Sequence, residues 1–169
     1  MELSLTRSWI VWHDTNWDDL KSITGVQTVC AFWQLFNALP TAFPHLNNIR
    51  WFREGIHPSR EDPQHVTGGK WIIQFQPGQE STGVWLNLLL DLIGSTIPQE
   101  ASVTGIEFNA RRRGDRISIW TNTSLDQMEL GQYLMQQTKQ SVDFKEHHEI
   151  AEYKSSYVVK SLIQLKHST

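Results

Sequence analysis

The chain has 169 residues, length enough for one substantial core, with ordinary hydrophobic (39%) and charged (20%) fractions and a formal net charge of −3. That balance excludes a generally basic surface, so any nucleic-acid contact has to be local. A single cysteine, Cys30, excludes an intramolecular disulfide framework, and the absence of an apolar leader or a run of membrane-spanning length sets the expectation of one soluble domain over residues 1–169, cytoplasmic or nuclear.

Residues 7–13 read as a strand, with Trp9, Val11 and His13 on one face and Ile10 and Trp12 on the other. The following polar loop holds Trp17, as a lid on a neighbouring element or as a stacking residue. Residues 28–39 read as a helix ended by Pro40, with Phe32, Leu35, Phe36 and Leu39 in one stripe and Val29 and Trp33, four apart, flanking it. Residues 48–53 are a candidate strand, and 55–69, with two prolines and no apolar periodicity, a long loop of the kind that carries function. Residues 70–76 read as a strand with Trp71, Ile73 and Phe75 on one face. A second helix over 84–93 ends at Gly94. Trp85, Leu89 and either Leu92 or Ile93 make its core stripe, and a spare stripe, Leu86 and Leu90, wants either deeper burial or a second partner.

The densest basic cluster follows, between Phe108 and Trp120. A two-residue turn at Gly114-Asp115 would pair Arg113 with Arg116, Arg111 with Ser118 and Asn109 with Trp120. That places three guanidiniums and an indole on one face, and Phe108, Ala110, Ile117 and Ile119 on the other, with Arg112 near the tip. Like charges set opposite each other destabilise a sheet, so the arrangement reads either as an anion site or as a solvated hairpin tip. Arginine forks fit phosphate oxygens and a Trp face can stack a base. Residues 124–140 read as a third helix, with Ser124 and Gln127 as a capping box, and with Leu130, Leu134 and Tyr133 inward. Residues 141–153 and 157–165 read as extended. Mixed elements without βαβ alternation predict an α+β fold with an antiparallel sheet.

These motifs resemble the translation initiation factor 4E family, collinearly over residues 7–139. The resemblance rests on Trp9-Ile10-Val11-Trp12 before a loop with Trp17, Thr28 to Trp33, Gly55-Ile56-His57-Pro58 with Glu61-Asp62, and Gly68-Gly69-Lys70-Trp71. Trp85-Leu86 with Leu89 to Gly94, and the run from Arg111 to Trp120, complete it. The resemblance implies a curved antiparallel sheet with three α-helices packed on its convex face, binding the 7-methylguanosine 5′ cap of mRNA on the concave side. It assigns Trp17 to a cation–π sandwich of the base, Glu61 to the base edge, Trp120 to the N7 methyl, and Arg111, Arg113 and Arg116 to the phosphates. Arg60 stands where the family has its second sandwich tryptophan. His57, His65 or Trp51 could fill that place, or Arg60 itself could stack, or the cap could be bound weakly or in a modified form.

On the convex side the resemblance implies a partner patch of Val29, Trp33, Leu86, Asn87 and Leu90. The partner would be a scaffold initiation factor of the 4G type or a 4E-binding repressor, presenting an amphipathic Tyr-x4-Leu-hydrophobic helix. Asn87 replaces the acid common in the family. The protein is expected to be a monomer on its own, with no cofactor and no membrane contact. Three rival readings stand beside this one: an adaptor or translational repressor that has lost the cap, a carbohydrate-binding module, and an enzyme. The sequence offers no activated nucleophile, and strand alternation would put only His147 and Glu149 on one face, two ligands where catalytic zinc takes three.

Overall fold

The computed structural model describes residues 2–14, 19–42, 48–148 and 157–158, with the side chains of 40–42 and 157–158 left aside. Eight strands form one curved sheet: β1 (Ser4–Asp14), β2 (Lys21–Thr28), β3 (Asn48–Arg53), β4 (Gly69–Gln74), β5 (Val103–Asn109), β6 (Arg116–Thr121), β7 (Val142–Glu146) and β8 (Tyr157–Val158). Their order is β2-β1-β3-β5-β6-β4-β7-β8 and every neighbouring pair is antiparallel. Three helices, α1 (Val29–Ala42), α2 (Thr82–Ile93) and α3 (Met128–Thr138), pack on the convex side.

Strand alternation sorts the sheet into an apolar and a polar face. Trp9 and Val11, Trp51, Ile106, Ile117 and Ile119, Trp71 and Ile73, and Val142 and Phe144 all turn to the helices and are buried. Phe32 of α1 meets Trp51 at 5.3 Å between ring centroids, and Trp85 of α2 meets Phe108 at 5.5 Å. Leu88, Leu89 and Leu92 of α2 and Leu130 and Leu134 of α3 are fully buried against the same face. The opposite face carries the alternate residues of the same strands, a mixture of charged, polar and aromatic side chains.

The elements differ from the sequence pattern in four places. β2 has no strong alternation, because it lies at the sheet edge and buries only Val26. α1 runs through Pro40 instead of ending before it: in the last turn the missing N–H removes a single helical bond. α3 starts at Met128 rather than at Ser124, because Asp126 takes a left-handed conformation (φ 51°) that no helix accommodates; Ser124 instead donates its N–H to Thr67 O at 2.9 Å. β7 ends at Glu146, and His147 and His148 are already helical, so the alternation expected there does not apply. Glu149 and residues 159–165 lie outside the described residues.

At Gly131 α3 closes directly onto the sheet: a Cβ there would stand 2.4 Å from the Trp71 ring. Gly131→Ala therefore lowers stability by about 1–3 kcal/mol through overpacking, although alanine favours a helix by about 1 kcal/mol. The urea midpoint of the variant against wild type checks this, and a raised midpoint contradicts the close approach.

Candidate functional site

The polar face is built around Glu107. Its register partner Ser118 lies on β6 and Arg50 on β3, so three central strands meet at one point. Arg50 reaches Asp14 at 2.8 Å and Glu107 at 3.4 Å, and all three side chains are fully buried. Trp120 Nε1 donates to Glu107 Oε2 at 2.9 Å and Asn109 Nδ2 to Oε1 at 2.8 Å. Burial by itself would push the Glu107 carboxyl up, but the Lys70 and Arg50 charges and these two hydrogen bonds outweigh it and hold the acid below its usual range. Lys70, directly opposite Trp120 on β4, sets its ammonium 4.8 Å from the indole centroid, a cation–π contact. Burial lowers the Lys70 pKa against the pull of Glu107, and Arg116, Arg50 and Arg60 lower it further.

Trp120 is enclosed. Phe52 meets its ring at 5.4 Å, His65 at 5.1 Å and His147 at 4.7 Å, leaving it 1% exposed. His65 Nδ1 lies 2.6 Å from Ser59 O and Nε2 2.9 Å from the Thr104 hydroxyl. A carbonyl only accepts, so Nδ1 carries the proton and Thr104 donates to Nε2. Burial lowers the pKa of His65, and that of His147 to about 3, so both rings stay neutral near pH 7.

The basic loop differs from the two-residue hairpin. β5 ends at Asn109, which faces Arg116, while Trp120 faces Gly105 and Ser118 faces Glu107. Residues 110–115 form a six-residue connection, so Arg111 and Arg113 sit in the loop rather than on a strand face. The reason is the way the loop docks. Gly114 (φ 102°) presses onto β4's end, where a Cβ would stand 2.0 Å from Phe75 O. Asp115 accepts from Arg111 N at 3.2 Å and from the Ser81 hydroxyl at 2.6 Å. Gln74 Nε2 donates to Gly114 O at 3.0 Å, and Gln74 Oε1 accepts from Arg116 Nε at 3.2 Å. The four arginines of the cluster, from Arg111 to Arg116, still converge: with Gln74 and Gln76 they line a cavity of about 380 Å³. Burial, and then the Arg111 charge, lower the pKa of Arg116.

A second cavity of about 360 Å³ is lined by Leu20, His57, Pro58, Ser59, Arg60 and Glu61. Arg60 and Glu61 are exposed on its wall, and Asp62 fixes the loop by accepting from His57 N at 2.7 Å and Gln64 N at 2.8 Å. Of the rings considered for the Arg60 side, Trp51 is in the helix-facing core and His65 lies beneath Trp120, so burial removes both. His57 remains, exposed and edge-on to Trp12 at 5.2 Å. Trp17 lies outside the described residues.

Residues 4–162 match the family described as Eukaryotic initiation factor 4E. The chain belongs to that family. It is 31% identical to the eukaryotic translation initiation factor 4E-1 of Caenorhabditis elegans over 97% of its own length and 89% of the relative's. With the 4E-2 factor of Schizosaccharomyces pombe it shares 35% identity over 72% of its own length, but spans only 55% of that protein. Among solved structures, eIF4E-3 of Ascaris suum in complex with an m2,2,7G cap superposes with a TM-score of 0.79 and 28% identity, over 94% of this chain and 96% of that one. The C. elegans eIF4E-3 complex with the 4E-binding protein Mextli and a cap analog gives 0.79 and 26%, over 93% and 100%.

In this 4E-family fold Val29 and Trp33 stand on α1 and Leu86, Asn87 and Leu90 on α2, both on the convex side. Trp33 is 39% exposed, Asn87 is exposed, and Val29, Leu86 and Leu90 are half-buried. Among the described residues no helix is long and apolar enough to cross a membrane. The site residues that the sequence pattern did not single out are Lys70, Glu107, Arg50 and Asp14. Alternation was the available signal for two of them: with Trp71 and Phe108 in the core, Lys70 and Glu107 must face the other way. Arg50 and Asp14 join only through pairing of distant strands.

The charge network predicts a pH-dependent cost. Glu107→Gln takes from Lys70 and Arg50 the acid they share, while Arg50 keeps Asp14, and destabilises by about 3–5 kcal/mol at pH 7. The folded-state pKa of Glu107 is depressed, so its contribution is complete above the unfolded value and is lost as pH falls through the folded one. The gap between wild type and variant therefore narrows on going from pH 7 into the acid range, as denaturant titrations at each pH would read; a constant gap contradicts an ionised Glu107.

Proposed function

We propose that this chain is one cap-binding domain that holds the 7-methylguanosine 5′ cap of mRNA on its concave face and recruits or withholds translation initiation partners through its convex helices. The observation that carries the reading is a pair of cavities, one with Arg60 and Glu61 on its wall and one lined by Arg111, Arg113 and Arg116. One cavity suits a flat base with an acid at its edge, the other a chain of phosphates. Family membership, and relatives solved with cap ligands, support the same assignment.

In this reading Glu61 accepts hydrogen bonds from the base edge and Trp17 supplies one stacking face. His57 or the Arg60 guanidinium supplies the other. Trp120, held by Glu107, is the residue assigned to the N7 methyl. Arg111, Arg113 and Arg116 take the phosphate bridge. Val29, Trp33, Leu86, Asn87 and Leu90 receive the amphipathic helix of a scaffold factor or a 4E-binding repressor. The domain acts by binding, without catalysis, in the cytoplasm. A second reading, an adaptor with weak cap affinity, is favoured by Arg60: a cation on the pocket wall opposes the cationic methylated base.

Tryptophan fluorescence titrations with 7-methyl-GTP and GTP separate the two: strong quenching by the methylated nucleotide and little by GTP supports the cap site, and equal weak responses leave the adaptor. Glu61→Ala weakens 7-methyl-GTP binding about tenfold to a hundredfold, the loss of charge-assisted hydrogen bonds; unchanged affinity would sink the assigned recognition mode. Arg113→Ala weakens it about threefold to tenfold at low salt, an effect that shrinks as salt rises. Trp33→Ala abolishes capture of a Tyr-x4-Leu-hydrophobic peptide while cap-column retention persists; loss of both in a folded variant contradicts two separate faces.

A further inference from the structure

Five large apolar side chains among the described residues are exposed, and three of them belong to one place. Trp33 lies in the helix-docking patch and Leu3 near the chain start. Val66, Leu125 and Met128, at 60%, 78% and 46% exposure, stand where the loop before β4 is bonded to the loop after β6. Thr67 O accepts from Ser124 N at 2.9 Å and the Thr67 hydroxyl donates to Asn122 O at 3.2 Å, so Val66 and Leu125 each adjoin a bonded residue. The backbone fixes Leu125 in its outward position. Asp126 (φ 51°) and Gln99 (φ 54°) are both left-handed, an uncommon conformation for residues other than glycine. The Gln99 amide clamps the turn from both sides, Nε2 donating to Asp126 O and Oε1 accepting from Leu130 N at 2.9 Å. Apolar side chains held rigidly in water are preorganised for a partner.

The charges around this patch have one sign. From Glu61 to Gly69 and from Ile117 to Thr138 the chain contains Glu61, Asp62, Asp126 and Glu129 but no lysine or arginine. Asp126 and Glu129 are exposed beside Leu125 and Met128, and among the described residues neither carboxylate is paired. The adjoining end of β7 adds Glu146 and His148, which pair with each other at 3.2 Å. The patch lies at one end of β6 and the arginine loop at the other, roughly 20 Å apart and beyond a Debye length of about 8 Å at physiological salt. Such a surface repels nucleic acid and anionic membranes. A second copy of this chain fits it poorly as well, since its basic loop over 110–115 has no large apolar residue.

We propose that Val66, Leu125 and Met128 form a docking surface for a basic amphipathic helix of a partner protein, with its apolar residues on these three side chains and its Lys or Arg on Asp126 and Glu129. The surface is separate from the cap cavities and from the convex patch, and it depends on neither.

The test is an amide-shift titration of the isotope-labelled chain with a short helical peptide of Leu, Lys and Ala, its leucines at helical spacing and its lysines beside them. The controls carry Glu for Lys, or Ala for Leu. The first peptide shifts the amides of Thr67 and of residues 125–129, and the controls do not. Leu125→Ser weakens its binding about tenfold, the size of one buried anchor, while Trp33→Ala leaves it unchanged. Leu125 is exposed, so this variant keeps the wild-type melting temperature and the loss reports the surface. Asp126→Asn retains the left-handed turn, which asparagine also adopts, and weakens binding about threefold at low salt and hardly at high salt. The proposal is overturned if the peptide does not bind, if the Glu version binds equally, or if Leu125→Ser has no effect. It is overturned too if Trp33→Ala removes binding, which assigns the peptide to the convex patch, or if sedimentation shows a dimer that Leu125→Ser dissolves.

Discussion

A carboxylate buried under a sheet is expensive unless its neighbours compel it to be charged, and the concave face depends on meeting that condition at Glu107. Arg50 at 3.4 Å, the Lys70 ammonium, the Trp120 indole N–H and the Asn109 amide meet it together. Each of those groups is fixed in turn by serving the same acid. Trp120 cannot rotate without abandoning a charged acceptor, and Lys70 cannot swing out without leaving Glu107 and the indole face. The network thus supplies orientation more than stability, since a buried ion pair can cost as much in desolvation as its attraction returns.

The period of two in the strands explains why the ligand and partner faces do not interfere. Ile119 packs under α-helices while Trp120, its neighbour in sequence, stands in the charge network. The same holds for Trp71 and Lys70. A register slip of one residue would exchange the two sets and bury four charges against leucines. The pairing of β4 with both β6 and β7 is what brings His147 onto Trp120, and the pairing of β3 with β5 is what brings Arg50 to Glu107.

Much of this was legible in the chain. The core faces of β1 and β4 and the stripes of α1 and α2 follow from local periodicity. The hairpin register was not, because Gly114-Asp115 has the composition of a tight turn. Its glycine is needed instead to let the loop touch Phe75, a contact across the sheet that no local pattern encodes. β2 escaped because an edge strand has only a short side to bury, and the start of α3 because the left-handed Asp126 breaks a sequence that caps and periodicity would both have called helical. The roles considered for Trp51 and His65 failed for a common reason: an aromatic ring in a loop or strand reads the same whether it ends in solvent or under a neighbour.

The loop that carries the arginines separates frame from charge. Its shape is set by Gly114, Asp115, Ser81 and the Gln74 amide, none of which contributes a cation, while Arg111, Arg112 and Arg113 are exposed and form no part of that frame beyond a backbone N–H. Substitutions at those three positions change the field over the cavity without touching the fold, and substitutions at the frame positions do the reverse. Ligand preference in such a domain can therefore drift over generations through a handful of side chains, at almost no penalty to folding, and diverging copies of one ancestral gene would be expected to differ first at this loop.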